Sequence, residues 1–248
     1  MAGSKGSGTG ERRPVVTIDG PSGVGKSTVS RLLAERLAAT YLDTGAMYRA
    51  VGLAARRQGI DPEDSSALEQ CLEGIKLELR PAAGPQDDVG VWLNGEDISA
   101  AIRTPEAALA ASGISVYPQV RRRLTQLQRE LAAAGGVVVE GRDMGTVVFP
   151  EAEHKFYLDA TPEERARRRC QQLRQRGEQC DERAILAQIQ QRDYDDTRRD
   201  LAPLKPADDA VIVECSQMDA AAVVDYMLAN IKGFAMLGEK SGKLQDKG

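Results

Sequence analysis

The chain has 248 residues, of which 42% are hydrophobic, 33 are Lys or Arg and 37 are Asp or Glu, giving a net charge of -4. That length fits one domain, or one domain with an inserted subdomain, and the apolar content suffices for a proper core. The acidic balance argues against a nucleic-acid binder, and with no run near the ~18 apolar residues of a membrane span and no signal-like segment in MAGSKGSGTGERR, a soluble cytoplasmic protein is expected.

Residues 1–13 and the tail from 238, GEKSGKLQDKG, are polar and low in complexity, and are expected to be disordered. VVTID (15–19) is a short apolar run of buried-strand type. Directly after it, IDGPSGVGKST sets Gly20, Gly25, Lys26 and Ser27 in the spacing G-x-x-x-x-G-K-[ST], and a helical pattern on Val29, Leu32, Leu33 and Leu37 follows. In that context the glycines let backbone N–H groups curl around phosphate oxygens. Lys26 reaches the terminal phosphates and Ser27 can coordinate Mg2+ at the helix N-terminus, so a nucleoside triphosphate is the expected ligand. The loop alone serves GTPase switches, ATP motors and small-molecule kinases alike. Neither Asn94 nor Asn230 fits the Asn-Lys-x-Asp guanine signature, and a motor usually needs a longer chain, which favours a kinase.

In LDTGAMYR (42–49), Asp43, Thr44, Tyr48 and Arg49 surround Gly45; the segment is either a helix start capped by Thr44, with Arg49 exposed, or a binding element. IKLELR (75–80) and VGVWLNG (89–95), separated by PAAGPQDD, alternate with period two and predict an antiparallel hairpin in an inserted subdomain of about 60–115. VVVEG (137–141) predicts a buried strand ending in Glu140, Arg142 and Asp143; ligands bind at the carboxyl ends of parallel strands, which makes these charges candidates for a site. KFYLDA (155–160) and AVIVEC (210–215) predict two further strands, the last followed by a helix across 221–231. Strands alternating with helices predict an α/β fold, a parallel sheet with helices on both faces. In TPEERARRR, Arg165, Arg167, Arg168 and Arg169 each fit a solvated helix face.

A helix over 181–201 places Ile185, Ile189, Arg192, Asp196 and Arg199 on one face, in steps of four, three, four and three. Asp193, Asp195, Thr197 and Arg198 fall off that stripe and are expected in solvent. An inward row of charges demands partners, because burying an unpaired charge is costly. Those partners are either a ligand or, in a salt-bridge ladder on an exposed face, one another. Cys71, Cys170, Cys180 and Cys215 show no CxxC spacing, and His154 is the only histidine, which disfavours a Cys/His metal site and His-assisted nucleophilic catalysis. The cysteines are expected to be reduced and in or near the core, and His154 to lie at the surface.

IDGPSGVGKST, LDTGAMYRA, VWLNGEDISAAIRTPEAALAAS, YPQVRRRLTQLQR, EGRDMGTVVFPEAEHKFYLDATPEERARRR and IQQRDYDDTRRDLAPLKPADDAVIV together resemble, in this order over about 14–232, the bacterial cytidylate kinases among the nucleoside monophosphate kinases. GRDMGTVVFP and RDxxDxxR followed by PL are far more specific than the phosphate loop. The resemblance implies a P-loop NTPase-type kinase domain over 14–237, with a helical lid at about 161–182, that phosphorylates CMP and dCMP with Mg·ATP in pyrimidine nucleotide metabolism. By the same analogy the protein is a monomer. The resemblance implies that Gly20, Pro21, Ser22, Gly23, Val24, Gly25, Lys26, Ser27 and Thr28 hold ATP, with Ser27 on Mg2+. Thr44, Arg49 and Arg142 would hold the phosphate of CMP, with Tyr48 beside them, as suits arginine forks. Ser112, Arg121 and Asp143 would read cytosine, whose exocyclic amino group can donate to a carboxylate where uracil offers only an acceptor. Arg192 and Asp196 would engage the sugar hydroxyls and Arg199 the phosphates, with Lys26, Arg142, Arg192 and Arg199 sharing the charge of transfer. Thr44 stands where some relatives have Ser, and Glu140 where Asp can stand, so a role for Glu140 near Mg2+ is left open. The other readings are a kinase for UMP, AMP or shikimate, and a P-loop binding protein with no acceptor.

Overall fold

A computed structural model describes residues 13–80, 88–175 and 177–231. The tails expected to be disordered, apart from Arg13, and the turn at 81–87 lie outside the described residues. In chain order, β1 (Arg13–Asp19) leads through α1 (Lys26–Arg36) to β2 (Thr40–Asp43), α2 (Thr44–Arg57) and α3 (Ser65–Glu73). Then come β3 (Leu77–Arg80), β4 (Gly90–Leu93), β5 (Glu96–Asp97), α4 (Pro105–Ile114), α5 (Pro118–Leu131) and β6 (Gly135–Gly141). The chain continues through β7 (His154–Asp159), α6 (Pro162–Gln175), α7 (Glu182–Arg198), β8 (Val211–Glu214) and α8 (Ala220–Asn230).

The main sheet is wholly parallel, in the order β2-β6-β1-β7-β8. Successive side chains of a strand face opposite ways, which divides the core. Val15 joins Leu42, Val137 and Val139 beneath α2 and α5, while Val16 and Ile18 join Val138, Phe156, Leu158 and Val213 against α1 and α8. The result is an α/β sandwich with helices on both faces. β1 sends its connection to one side and β7 to the other, so the crevice at their carboxyl ends is the switch point at which such sheets bind ligands.

Four of the five parallel strands fall on the apolar runs of the sequence, and β1 begins already at Arg13, paired with Gly135. β2 was not anticipated: it is a four-residue edge strand in which only Leu42 is buried, too short and too polar for the apolar-run signal. In the second sheet β3 and β4 pair antiparallel, with Leu77 opposite Leu93 and Leu79 opposite Val91. A third strand, β5, is added by a two-residue turn in which Asn94 and Gly95 take φ of 52° and 86°, the left-handed pair that an Asn-Gly hairpin turn uses.

Two further expectations need correction. Cys170 and Cys180 form a disulfide with Cα atoms 5.4 Å apart, because the short return from α6 to α7 brings them together; only Cys71 and Cys215 are free and buried. Helix α7 stops at Arg198, and Arg199 follows in extended backbone (φ -63°, ψ 142°) rather than on the helix.

Candidate active site

Residues 20–25 turn the chain from β1 into α1. Gly20 sits at φ 149°, where a Cβ would collide with the carbonyl oxygen of Leu158. Lys26 opens α1, and its buried Nζ donates to the carbonyls of Gly20 and Pro21, both at 2.7 Å. Burial, reinforced by Arg142, holds this amine well below the ordinary lysine range against the pull of Glu140, Asp196 and Asp19. Asp19, at the end of β1, accepts from the backbone N–H groups of Met144 (2.9 Å) and Gly145 (2.8 Å). Burial nonetheless pushes its carboxyl up to about 6. Beside it, the Tyr41 hydroxyl donates to Glu140 Oε1 at 2.5 Å, and Ser27 hydrogen-bonds the same carboxylate. Burial and then Asp43 raise Glu140 above the usual carboxylate range, while Lys26, Tyr41 and Ser27 oppose them.

The opposite wall is built from α2, α4, α5 and α7. Asp43, not Thr44, caps α2, accepting from Ala46 N at 2.9 Å. Thr44 is thereby the first helical residue, and its hydroxyl donates to the carbonyl of Glu140 at 2.6 Å. Arg49 pairs with Asp43 at 3.0 Å and Arg142 with Asp196 at 2.9 Å, while Arg121 pairs with Asp143 in a buried bridge. Arg121 also lies 5.8 Å from the ring centre of Tyr48, whose phenol burial pushes up to about 12. Arg199 stands 3.9 Å from both Asp143 and Asp196. Burial pushes the Asp196 carboxyl upward, but Arg142, Arg192 and Arg199 together outweigh it and hold it below the usual range.

These walls enclose one cavity of about 420 Å³. Ser22, Gly23, Gly25, Lys26, Ser27 and Thr28 line it from the loop side. From the facing side come Thr44, Tyr48, Arg49, Ser112, Arg121, Arg142, Asp143, Arg192, Asp196 and Arg199. Of the residues singled out in the sequence, Gly20, Pro21 and Val24 shape the loop without lining the cavity. Seven cationic side chains face five carboxylates there. Three buried guanidinium nitrogens on the wall, Arg49 Nε, Arg192 Nε and Arg199 Nη2, have no hydrogen-bond partner among the described residues. Such a lining suits an anion rich in acceptor oxygens. Among the described residues no cluster of three or more His, Cys, Asp or Glu side chains could hold a metal by itself.

Several neighbours escaped the sequence reading. Asp193 and Arg165 are not solvated: Arg165 is 3% exposed and grips Asp193 through two bonds. Arg168 is half-buried, its Nη2 donating to the carbonyl of Cys215 at 2.6 Å, whereas Arg167 is exposed as expected and Arg169, though also exposed, lines the cavity. Asp19 carried no motif, though a charge ending an apolar strand is the same signal that flagged Glu140.

The family model for cytidylate kinase matches residues 16–233. The cytidylate kinase of Pelotomaculum thermopropionicum is 47% identical over 218 residues, 88% of this chain and 96% of that protein. That of Pasteurella multocida is 44% identical over 88% of this chain and 95% of its own length. Among solved structures, the shikimate kinase of Bacteroides thetaiotaomicron covers 90% of this chain and 98% of its own at 11% identity, with a TM-score of 0.44, too loose a likeness to bear on the substrate.

Proposed function

The chain belongs to the cytidylate kinase family, and from that premise we infer that it is a transferase moving the γ-phosphoryl group of ATP to CMP and dCMP, with ADP and CDP or dCDP as products. The observation that carries the reading is the single cavity in which Lys26 of the phosphate loop faces the arginine row of α2, α7 and the β6 end.

Phosphoryl transfer needs alignment and charge neutralisation more than covalent chemistry, so a chain with one histidine can perform it. Lys26, now bonded to the loop's own carbonyls, is placed to exchange them for ATP phosphate oxygens, whose charge would restore its proton affinity. Thr44, Arg49 and Arg142 would orient the CMP phosphate, and Arg192 and Arg199 would share the charge that builds on the moving group. The Arg121 bridge fixes the Asp143 carboxylate, which would accept from the exocyclic amino group of cytosine beside Ser112. Ser27 and the carboxylate it touches suit Mg2+, an ion that takes one or two protein oxygens and fills its shell with phosphates and waters. Ser27 would hold the ion, which neutralises phosphate charge when bound. In this reading α6 and the start of α7 form the lid, and the β3-β4-β5 sheet belongs to the acceptor subdomain.

By the family resemblance the protein is taken to act as a monomer. No helix among the described residues is long and apolar enough to cross a membrane, in keeping with a cytoplasmic reaction. A coupled ADP-release assay across CMP, dCMP, UMP, AMP, GMP and shikimate tests the reading, with CMP and dCMP expected to be the fastest acceptors. UMP outpacing both would overturn the specificity, and ATP turnover indifferent to any acceptor would overturn the kinase.

A further inference from the structure

We propose that Arg165 and Asp193 form a positioning pair that holds the phosphate loop and the acceptor-binding face of α7 in register; this deepens the kinase reading and rests on it. Arg165 lies in the first turn of α6 and, alone among the arginines of TPEERARRR, is buried. Its guanidinium touches three separate elements. Nε donates to the carbonyl of Ala160 at the end of β7 (2.9 Å), and Nη1 donates to the carbonyl of Ser22 in the phosphate loop (3.0 Å). Nη1 and Nη2 then fork onto the two carboxylate oxygens of Asp193, at 3.0 and 2.5 Å.

A phosphate loop works by turning its N–H groups inward, which leaves carbonyls pointing out and in need of donors. Arg165 supplies one at Ser22. The neighbouring Gly23 packs on the same cluster, since a Cβ there would lie 3.6 Å from Arg165 Cβ and 3.9 Å from Ile189 Cδ1. Ile189 and Asp193 occupy successive turns of α7, the helix that carries Arg192 and Asp196 into the cavity. The donor loop and the acceptor helix therefore meet across one planar fork, and a shift of either must break bidentate geometry that lysine cannot reproduce. Asp193 touches no cavity wall itself; its effect on transfer passes through the placement of Arg192 and Asp196 opposite Lys26.

Asp193→Asn and Arg165→Lys test the pair in the full chain. Small misplacements of reacting groups are costly in rate, so kcat for CMP should fall about tenfold or more, while the Kd of ATP alone and of CMP alone each stay within about threefold. Hydrogen–deuterium exchange gives a second readout that needs no acceptor. In the native protein, ATP should slow exchange in α7 as well as in the loop; in the variants the loop should still be protected and α7 should not. Asp195→Asn, exposed just over half a turn further on, should keep native kcat. Variants with native kcat, or with ATP-dependent protection of α7 intact, would overturn the proposal, as would a lowered Tm with both readouts native. Should Asp193→Asn fail to fold, Arg165→Lys, which keeps the buried charge, carries the same test. If the native protein turned over no CMP, the kinase reading would fall, and the exchange experiment would still decide the role of the pair.

Discussion

Arg192→Ala separates a residue the fold uses from one the ligand uses. Arg192 is half-buried, and its Nε has no hydrogen-bond partner among the described residues. Burial and then the nearby Arg142 depress its pKa, against the pull of Asp196, so the protein holds this cation at some electrostatic cost. Its removal should therefore leave Tm within about 2 °C of native. With CMP present the balance reverses: a charge-assisted contact is worth about 1.5 to 3 kcal/mol, which predicts a roughly ten- to hundredfold loss of kcat/KM. The control is Arg198→Ala. Arg198 is exposed, bonded to the Tyr194 hydroxyl at 3.1 Å and stacked 4.4 Å from its ring centre, and its loss should change kcat/KM by no more than about twofold. Steady-state kinetics on CMP and a thermal melt of each variant suffice. Equal kinetic losses in the two, or a large fall in Tm for Arg192→Ala, would refute the assignment of the cavity face.

Three further outcomes follow from the geometry. The disulfide spans a sequence separation of 10, for which chain-entropy arithmetic gives about 2.7 kcal/mol, so dithiothreitol should lower Tm by about 5–10 °C. Calorimetry checks this, and Cys170→Ser should abolish the response. Asp19 has its folded pKa raised to about 6 from 3.8, so its native carboxyl binds protons that the unfolded chain releases, and stability is lost as pH rises through that window. Relative to native, Asp19→Asn should therefore gain about 2 kcal/mol between pH 4.5 and 7.5 in urea melts; an equal difference at both pH values would contradict the raised carboxyl. Gly20→Ala forces a Cβ onto the backbone carbonyl of Leu158 at a left-handed φ, and should cost about 2–4 kcal/mol in the same melts together with loss of ATP binding.

What the sequence revealed, and what it hid, divides along physical lines. Buried parallel strands announce themselves as apolar runs, so β1, β6, β7 and β8 were legible, whereas β2 exposes most of its short edge and left no run to find. The inward face of α7 was legible because helical period survives a change from apolar to charged residues: Ile189 and Asp196 are buried in the same stripe. Asp193 lies off that stripe, yet it is half-buried rather than solvated. Its burial is created by Arg165, 28 positions away on another helix, and no period within either segment encodes that meeting. The same holds for the Cys170–Cys180 bond, which depends on how α6 returns into α7. The cap of α2 is Asp43 where the sequence also allows Thr44, because Asp and Thr are both good caps and only the backbone decides that Asp43 is outside and Thr44 inside. Arg199 reaches the cavity from beyond the helix end, so its place in the arithmetic of helical steps was right by position and not by cause.

In the proposed reaction one cavity holds both the donor and the acceptor of a phosphoryl group. Incubating the protein with ATP labelled in the γ-phosphate and unlabelled CMP, then resolving the nucleotides, tests it directly. Label is expected in the β-phosphate of CDP, appearing in step with ADP. Label recovered only as inorganic phosphate, with CMP unchanged, would contradict it.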